Sequence, residues 1–278
     1  MYLLRDNANI YYEARGEGDA LILIHGVITD SGLYEQTSGI LSDKFRVVIF
    51  DRRGNSRSKT SVETGKGVPA FDIEEQVEDI RELMDELDID KAYIAGASAG
   101  AVIGHRFLCR FPERVRHLIM YEPALLGHMR KEDPVFREWA EKTEALVDAG
   151  KLNSALIRFA EHIGPADERS PSKSEESFLR EMGNLEYAMK SEIPGLHAYD
   201  PEPEIIKRYA DKITIAAGEK SGETVYFKEA HRLADIMGSR VLYYPGGHNL
   251  PYDLPSEFAV CVSGTIMLKS DNSVKNRT

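Results

Sequence analysis

Ser98 lies between two glycines in the short stretch of residues 96–100. Residues 92–95 are an apolar run that predicts a buried strand, and a helix-like run begins at Ala101. A serine at a tight turn from a strand to a helix is typical of a nucleophile held at the carboxyl edge of a sheet. A glycine-rich turn without chemistry is the alternative, because motifs of five residues recur by chance.

A serine nucleophile needs a general base that accepts its proton. The chain has eight histidines, but only His25 and His248 closely follow a predicted buried strand. His248 follows Gly246 and Gly247, which allow its loop to bend toward Ser98. It also comes last in the chain, as the order serine, acid, histidine requires. We therefore predict His248 as the base and His25 as a structural residue.

Acyl transfer also needs N–H donors for the oxyanion. The backbone N–H of Ala99 directly follows the nucleophile at the start of a predicted helix, where the helix dipole favours negative charge. The loop after the strand that ends at Ile24 should supply the second donor, and we predict Val27. Gly26 would permit close approach of this loop.

The acid that orients the base should lie at the end of a neighbouring strand. After Gly218 the sequence has a serine where an aspartate is common, and Glu219 and Glu223 are shifted in register. Glu122 ends the strand that follows the Ser98 helix, so a parallel sheet would place it beside Ser98. We predict Glu122 as the acid, with Glu223 and then Glu219 as alternatives.

The composition is that of an ordinary globular protein, with 278 residues, 42% hydrophobic and 29% charged. The net charge of −11 argues against nucleic acid or an anionic membrane as a partner. Two cysteines in unrelated contexts form neither a disulfide framework nor a metal site. We expect no metal and no cofactor. The first 14 residues form neither a signal peptide nor a membrane span, so we expect a cytoplasmic protein.

Strand-like and helix-like segments alternate over the first 125 residues and again from about residue 212. This alternation predicts an α/β fold, with a mostly parallel sheet of eight strands and helices on both faces. Residues 127–203 show helical periodicity and no strand pattern. We therefore predict a core of residues 1–126 and 204–278 and a helical cap of residues 127–203.

Five short sequence motifs occur in a characteristic order, at residues 25–26, 51–58, 96–100, 111–115 and 246–248. In these motifs the chain resembles the α/β-hydrolase fold superfamily, and the resemblance extends over nearly its whole length. Residues 121–123, Tyr-Glu-Pro, resemble a bacterial subgroup with Glu-Pro at this strand end. In that subgroup, and in haloalkane dehalogenases, the acid can come from this strand. The resemblance thus supports Glu122, whereas Ser98 excludes dehalogenase chemistry, which needs an aspartate nucleophile.

The predicted function is hydrolysis of a small ester, thioester, lactone or amide through an acyl-enzyme on Ser98. The expected partner is accordingly a small-molecule acyl substrate. The same residues would serve an acyltransferase if a second substrate excluded water. A non-catalytic receptor for a small ligand is a further alternative, because a fold does not determine a function.

Overall fold

A computed structural model describes residues 1–61, 67–164 and 166–275, with side chains up to residue 269. The strands are β1 (Tyr2–Arg5), β2 (Ala8–Arg15), β3 (Ala20–Ile24), β4 (Arg46–Phe50), β5 (Lys59–Thr60), β6 (Ala92–Ala97), β7 (Val115–Tyr121), β8 (Ile213–Gly218) and β9 (Leu242–Tyr244). Eight of them form one path in the order β1-β2-β4-β3-β6-β7-β8-β9, and the two-residue β5 pairs with β2.

Strand β2 pairs antiparallel with both β1 and β4. All the later pairs along this path, from β4–β3 to β8–β9, are parallel. All residues of β3, β6 and β8 are buried. A strand that is covered on both faces has apolar residues at successive positions. These segments are therefore recognisable in the sequence as continuous apolar runs. The predicted mostly parallel sheet with helices on its faces is confirmed.

The helices are α1 (Glu35–Leu41), α2 (Ile73–Glu86), α3 (Ala99–Arg110), α4 (Gly127–Glu132), α5 (Pro134–Asp148), α6 (Leu152–Ala160), α7 (Glu175–Tyr187), α8 (Ile193–Ala198), α9 (Pro203–Ile206), α10 (Val225–Met237), α11 (Leu250–Asp253) and α12 (Pro255–Lys275). Helix α2 begins after Asp72, whose side chain accepts a hydrogen bond from the Glu74 N–H and so caps the helix. Val77, Ile80 and Met84 form the buried stripe of this helix.

Helices α4 to α9 lie between β7 and β8. The sequence pattern predicts three helices here, which correspond to α5, α6 and α7. It misses the short helices α4, α8 and α9, because a helix of four to six residues has too few turns to show a period. A π-helical turn, Ala188–Glu192, joins α7 to α8. No helix in the described part of the chain is long and apolar enough to cross a membrane.

Candidate active site

Ser98 lies at the junction of β6 and α3. Its backbone conformation, with φ 55° and ψ −120°, is one that residues other than glycine rarely adopt. A side chain at Gly100 would place its Cβ 2.0 Å from the carbonyl oxygen of Ile24. A Cβ at Gly96 would come within 2.4 Å of the Gly100 oxygen. The two glycines thus let strand, turn and helix approach closely enough to form this turn.

His248 and Glu122 lie 126 residues apart in the sequence and are brought together by the fold. His248 Nδ1 donates a hydrogen bond to Glu122 Oε2 over 2.7 Å. Glu122 directly follows β7 and has a positive φ of 41°. The carboxylate is fully buried, and its other oxygen, Oε1, accepts hydrogen bonds from the Gly218 N–H at 2.8 Å and from the Ser221 hydroxyl.

Burial acts to raise the pKa of Glu122, but the hydrogen bond and charge of His248 and the donors from Ser221 and Gly218 lower it below its usual range. The carboxylate is therefore ionised at neutral pH. An ionised acceptor at Nδ1 fixes the tautomer of the imidazole, which leaves Nε2 free to accept a proton.

The two alternative acids do not reach His248 in the structure. The Glu223 side chain is 88% exposed and lies 3.3 Å from Lys228 Nζ. Glu219 is exposed as well, and its backbone N–H binds the Tyr244 oxygen. Of the three predicted acids, the structure thus places Glu122 beside His248 and leaves Glu219 and Glu223 at the surface.

Two tyrosines hold the loop that carries His248. The ring of Tyr226 stacks on the imidazole, with ring centroids 4.1 Å apart. The Tyr121 hydroxyl donates a hydrogen bond to the Gly247 oxygen over 2.5 Å. Both tyrosines are buried. Tyr226 thus holds the ring of His248 by stacking, and Tyr121 holds the adjacent backbone by its hydrogen bond.

The predicted oxyanion donors flank Ser98. A Cβ on Gly26 would lie 3.3 Å from Ser98 Cβ, so the loop that carries Val27 passes directly over the serine. Ala99 is the first residue of α3. Within the described part of the chain, neither the Val27 nor the Ala99 N–H donates a hydrogen bond. Both donors therefore remain available to a ligand.

A buried arginine shapes this loop. Arg52 donates hydrogen bonds to the backbone oxygens of His25 and Gly26, at 3.0 and 2.7 Å, and it forms an ion pair with Glu192 of the π-helical turn. Both members of the pair are fully buried. Burial raises the pKa of Glu192, while the charge of Arg52 acts to lower it.

His25 is buried in this loop, and its contacts agree with a role in shaping it. Its Nδ1 donates to the Gly26 oxygen at 2.8 Å, and its Nε2 accepts from the Arg52 N–H at 3.0 Å. Burial, followed by the charge of Arg52, lowers the pKa of His25 to about 3. The ring is therefore neutral, and backbone groups of Gly26 and Arg52 occupy its two nitrogens.

Ser98 and His248 line one cavity of about 340 Å³. Helix α6 and the segment after it supply apolar wall residues, Leu156, Phe159 and Ile163, and the Lys173–Glu181 ion pair also lies on the wall. Among the described residues, Ser98 Oγ makes no hydrogen bond to His248. Such contacts are often long in a free enzyme and tighten when substrate binds. No group of three metal-ligating side chains occurs in the described segments.

A family model described as alpha/beta hydrolase fold matches residues 19–163. The chain belongs to the α/β-hydrolase family. An uncharacterized hydrolase of Bacillus subtilis, YraK, is 30% identical over 249 residues, which cover 87% of this chain and 86% of that protein. The predicted family is thereby confirmed, and the chain is an α/β-hydrolase enzyme.

Two further comparisons extend this result. Zearalenone hydrolase of Cladophialophora bantiana is 31% identical over 153 residues, which cover 52% of this α/β-hydrolase and 57% of that enzyme. The solved structure of Est816, named as an N-acyl homoserine lactone degrading enzyme, has a TM-score of 0.70 and 20% identity. The match covers 95% of this chain and 99% of Est816. At this identity the structural likeness shows the fold.

Sequence reasoning missed several residues that surround the site of this α/β-hydrolase. Ser221 is noticed in the sequence only as the absence of an aspartate, whereas in the structure it binds Glu122. Arg52 lies within the motif at residues 51–58, so its importance could have been predicted from that motif. Glu192 and Tyr226 have no local signal, because their roles depend on contacts with residues far away in the chain.

Proposed function

We propose that this α/β-hydrolase is a serine hydrolase that cleaves a small ester, thioester, lactone or amide through an acyl-enzyme on Ser98. One observation carries the proposal: a histidine hydrogen-bonded to a buried carboxylate lines the same cavity as the serine at the strained turn. Nucleophile, base and orienting acid are the three groups that this chemistry requires.

The reaction would begin when Nε2 of His248 takes the proton of Ser98 as Oγ attacks the acyl carbon. The N–H groups of Val27 and Ala99 would hold the oxyanion. The imidazolium, stabilised by Glu122, would then protonate the leaving group, and the bond from the acyl carbon to that group breaks. Water, activated by the same imidazole, would hydrolyse the acyl-enzyme and return the proton to Ser98.

The helical segment of residues 127–203 would act as a cap in this proposal. Its support is that Leu156 and Phe159 of α6 line the cavity together with Ser98. A cap excludes bulk water and shapes the pocket, which strengthens the electrostatic contacts of the oxyanion.

A fluorophosphonate probe tests the central claim, because it labels an activated serine. We expect labelling of the wild-type protein at Ser98 and none in Ser98→Ala, together with hydrolysis of nitrophenyl esters by the wild type alone. Circular dichroism of both proteins checks that the variant is folded. A folded wild type that is neither labelled nor active on any ester would contradict the proposal. Adding an alcohol acceptor tests acyl transfer, which would appear as a new ester in place of free acid.

A further inference from the structure

Ser98 contributes to the walls of two cavities of very different size. The larger has a volume of about 340 Å³ and the smaller of about 10 Å³. Val27, Ser98 and Phe159 line both. A volume of about 10–15 Å³ is the least that holds one water molecule. The smaller cavity therefore has room for one group of about that size, such as a methyl group.

The position of His248 assigns a role to each cavity. His248 lines the larger cavity and is not part of the wall of the smaller one. In the proposed reaction the imidazole passes a proton to the leaving group, so the leaving group must lie on the side of His248. The other substituent of the acyl carbon then points into the smaller cavity.

The wall of the smaller cavity is mostly apolar and closely packed. Leu126, Ile193 and Leu196 contribute to it, and none of them is more than 8% exposed. Ile193 directly follows Glu192, which is held by the buried ion pair with Arg52. The cavity can therefore not widen easily, because close-packed interiors resist added volume.

We propose that the preferred substrate is an ester of a short acid, about acetyl in size, with a bulky and largely apolar alcohol. This rests on the proposed serine hydrolase function. The bond from Ser98 Oγ to the acyl carbon forms and the ester bond to the alcohol breaks. The serine proton passes through His248 to the alcohol oxygen. Water then supplies hydroxide to the acyl carbon, its other proton returns to Ser98, and the products are the alcohol and the short acid.

A series of naphthyl esters, the acetate, butanoate and hexanoate, tests this assignment because the alcohol stays constant. One methylene in an apolar pocket changes kcat/KM by about 10- to 200-fold. We therefore expect kcat/KM to fall about tenfold or more from acetate to butanoate and further to hexanoate. Equal or faster hydrolysis of the hexanoate would overturn the assignment.

Two variants enlarge the smaller cavity, Ile193→Ala and Leu196→Ala, so that a folding failure of one leaves the other. We expect each to raise the ratio of butanoate to acetate kcat/KM by about tenfold or more. Leu156→Ala is the matched control, because Leu156 lines only the larger cavity. Its ratio should stay that of the wild type. If Leu156→Ala raises the ratio and the folded Ile193 and Leu196 variants do not, the two cavities have been assigned the wrong way round.

Failure of this inference can be distinguished from failure of the proposed function. If a fluorophosphonate labels Ser98 and long acyl esters are hydrolysed best, the serine hydrolase proposal stands and the acyl-size inference is wrong. If Ser98 is not labelled and no ester in the series is hydrolysed, both are wrong.

Discussion

The hydroxyl of Ser221 donates a hydrogen bond to Oε1 of Glu122. Ser221 follows β8 and Glu122 follows β7, so two adjacent strand ends build one carboxylate site. In the family that the sequence resembles, an acid after β8 is the commoner arrangement. In this protein the end of β8 and the segment after it supply two donors, the Gly218 N–H and the Ser221 hydroxyl, to Glu122 at the end of the neighbouring strand.

Glu122→Gln tests whether this carboxylate orients the base. The amide cannot stabilise the imidazolium and allows the wrong tautomer, so we expect kcat to fall by about 10³- to 10⁴-fold. Glu223→Gln is the matched control, since Glu223 is exposed and should leave kcat unchanged. Ester hydrolysis at neutral pH measures both. Loss of activity in the Glu223 variant alone would show that Glu122 is not the acid.

Ser221→Ala should raise the pKa of Glu122, because one of the donors that oppose the effect of burial is lost. A carboxylate with a depressed pKa stabilises the fold above its ordinary pKa of 4.5, and this stability is lost as the pH falls through the folded value. The variant should therefore unfold at a higher pH on acidification. The variant also loses a hydrogen bond to a charged group, so its free energy of unfolding should be lower by about 1.5–3 kcal/mol. Urea unfolding at pH 7 measures this loss. Ser42→Ala, which removes a surface hydroxyl, serves as the control. Equal effects of the two variants would contradict a special role for Ser221.

Arg52→Met should lower the free energy of unfolding by about 3–5 kcal/mol, because the buried carboxyl group of Glu192 would lose its partner. Replacing both residues, Arg52→Met with Glu192→Leu, should recover part of the loss. Lys142→Met breaks an exposed ion pair with Glu138 and should cost less than about 1 kcal/mol. Chemical denaturation compares the three. A similar cost for Arg52→Met and Lys142→Met would show that the buried pair is not needed for stability.

Gly100→Ala and Gly39→Ala are a matched pair, since both glycines lie inside helices. A Cβ at position 100 would meet the Ile24 oxygen at 2.0 Å, whereas nothing lies within 4 Å of one at position 39. We expect Gly100→Ala to destabilise the fold by about 1–3 kcal/mol or more. Gly39→Ala should stabilise it by about 0.5–1 kcal/mol. Thermal melting of the two variants checks the contrast. A Gly100→Ala protein as stable as the wild type would show that the turn can relax.

Glu229 is the group for which we expect a pH dependence near neutrality. Burial raises its pKa to about 7, against hydrogen bonds from Arg232, and the charge of Asp200 adds to the increase. His128 Nε2 lies 3.5 Å from its carboxylate. Between pH 4.5, the ordinary pKa of a glutamate, and about pH 7, the folded state keeps the proton that the unfolded state releases. The contribution of Glu229 to stability therefore falls as the pH rises through this range.

The comparison with Glu229→Gln isolates this effect. Burial lowers the pKa of His128, so His128 alone makes stability rise with pH in part of the same range. We expect the stability of the wild type relative to Glu229→Gln to fall by up to about 1.4 kcal/mol per pH unit. Urea unfolding from pH 4.5 to pH 7 measures the difference. A constant difference across this range would contradict the raised pKa.

Local patterns were sufficient to predict the sheet, the turn at Ser98 and the family. Continuous apolar runs predicted β3 and β6, because strands buried on both faces must be apolar throughout. The glycines around Ser98 were informative because a tight turn excludes side chains whatever the rest of the fold does. His248 could be selected since its strand-end position follows from the alternation of strands and helices.

Only the tertiary structure decided how the carboxylate is held and what surrounds the serine. The sequence left Glu122, Glu219 and Glu223 as candidates, and the structure places only the first beside His248. The pairing of Arg52 with Glu192 spans 140 residues. Contacts of this kind depend on how distant elements pack, and no local period or motif carries that information. The sizes of the two cavities at Ser98 depend on the same packing.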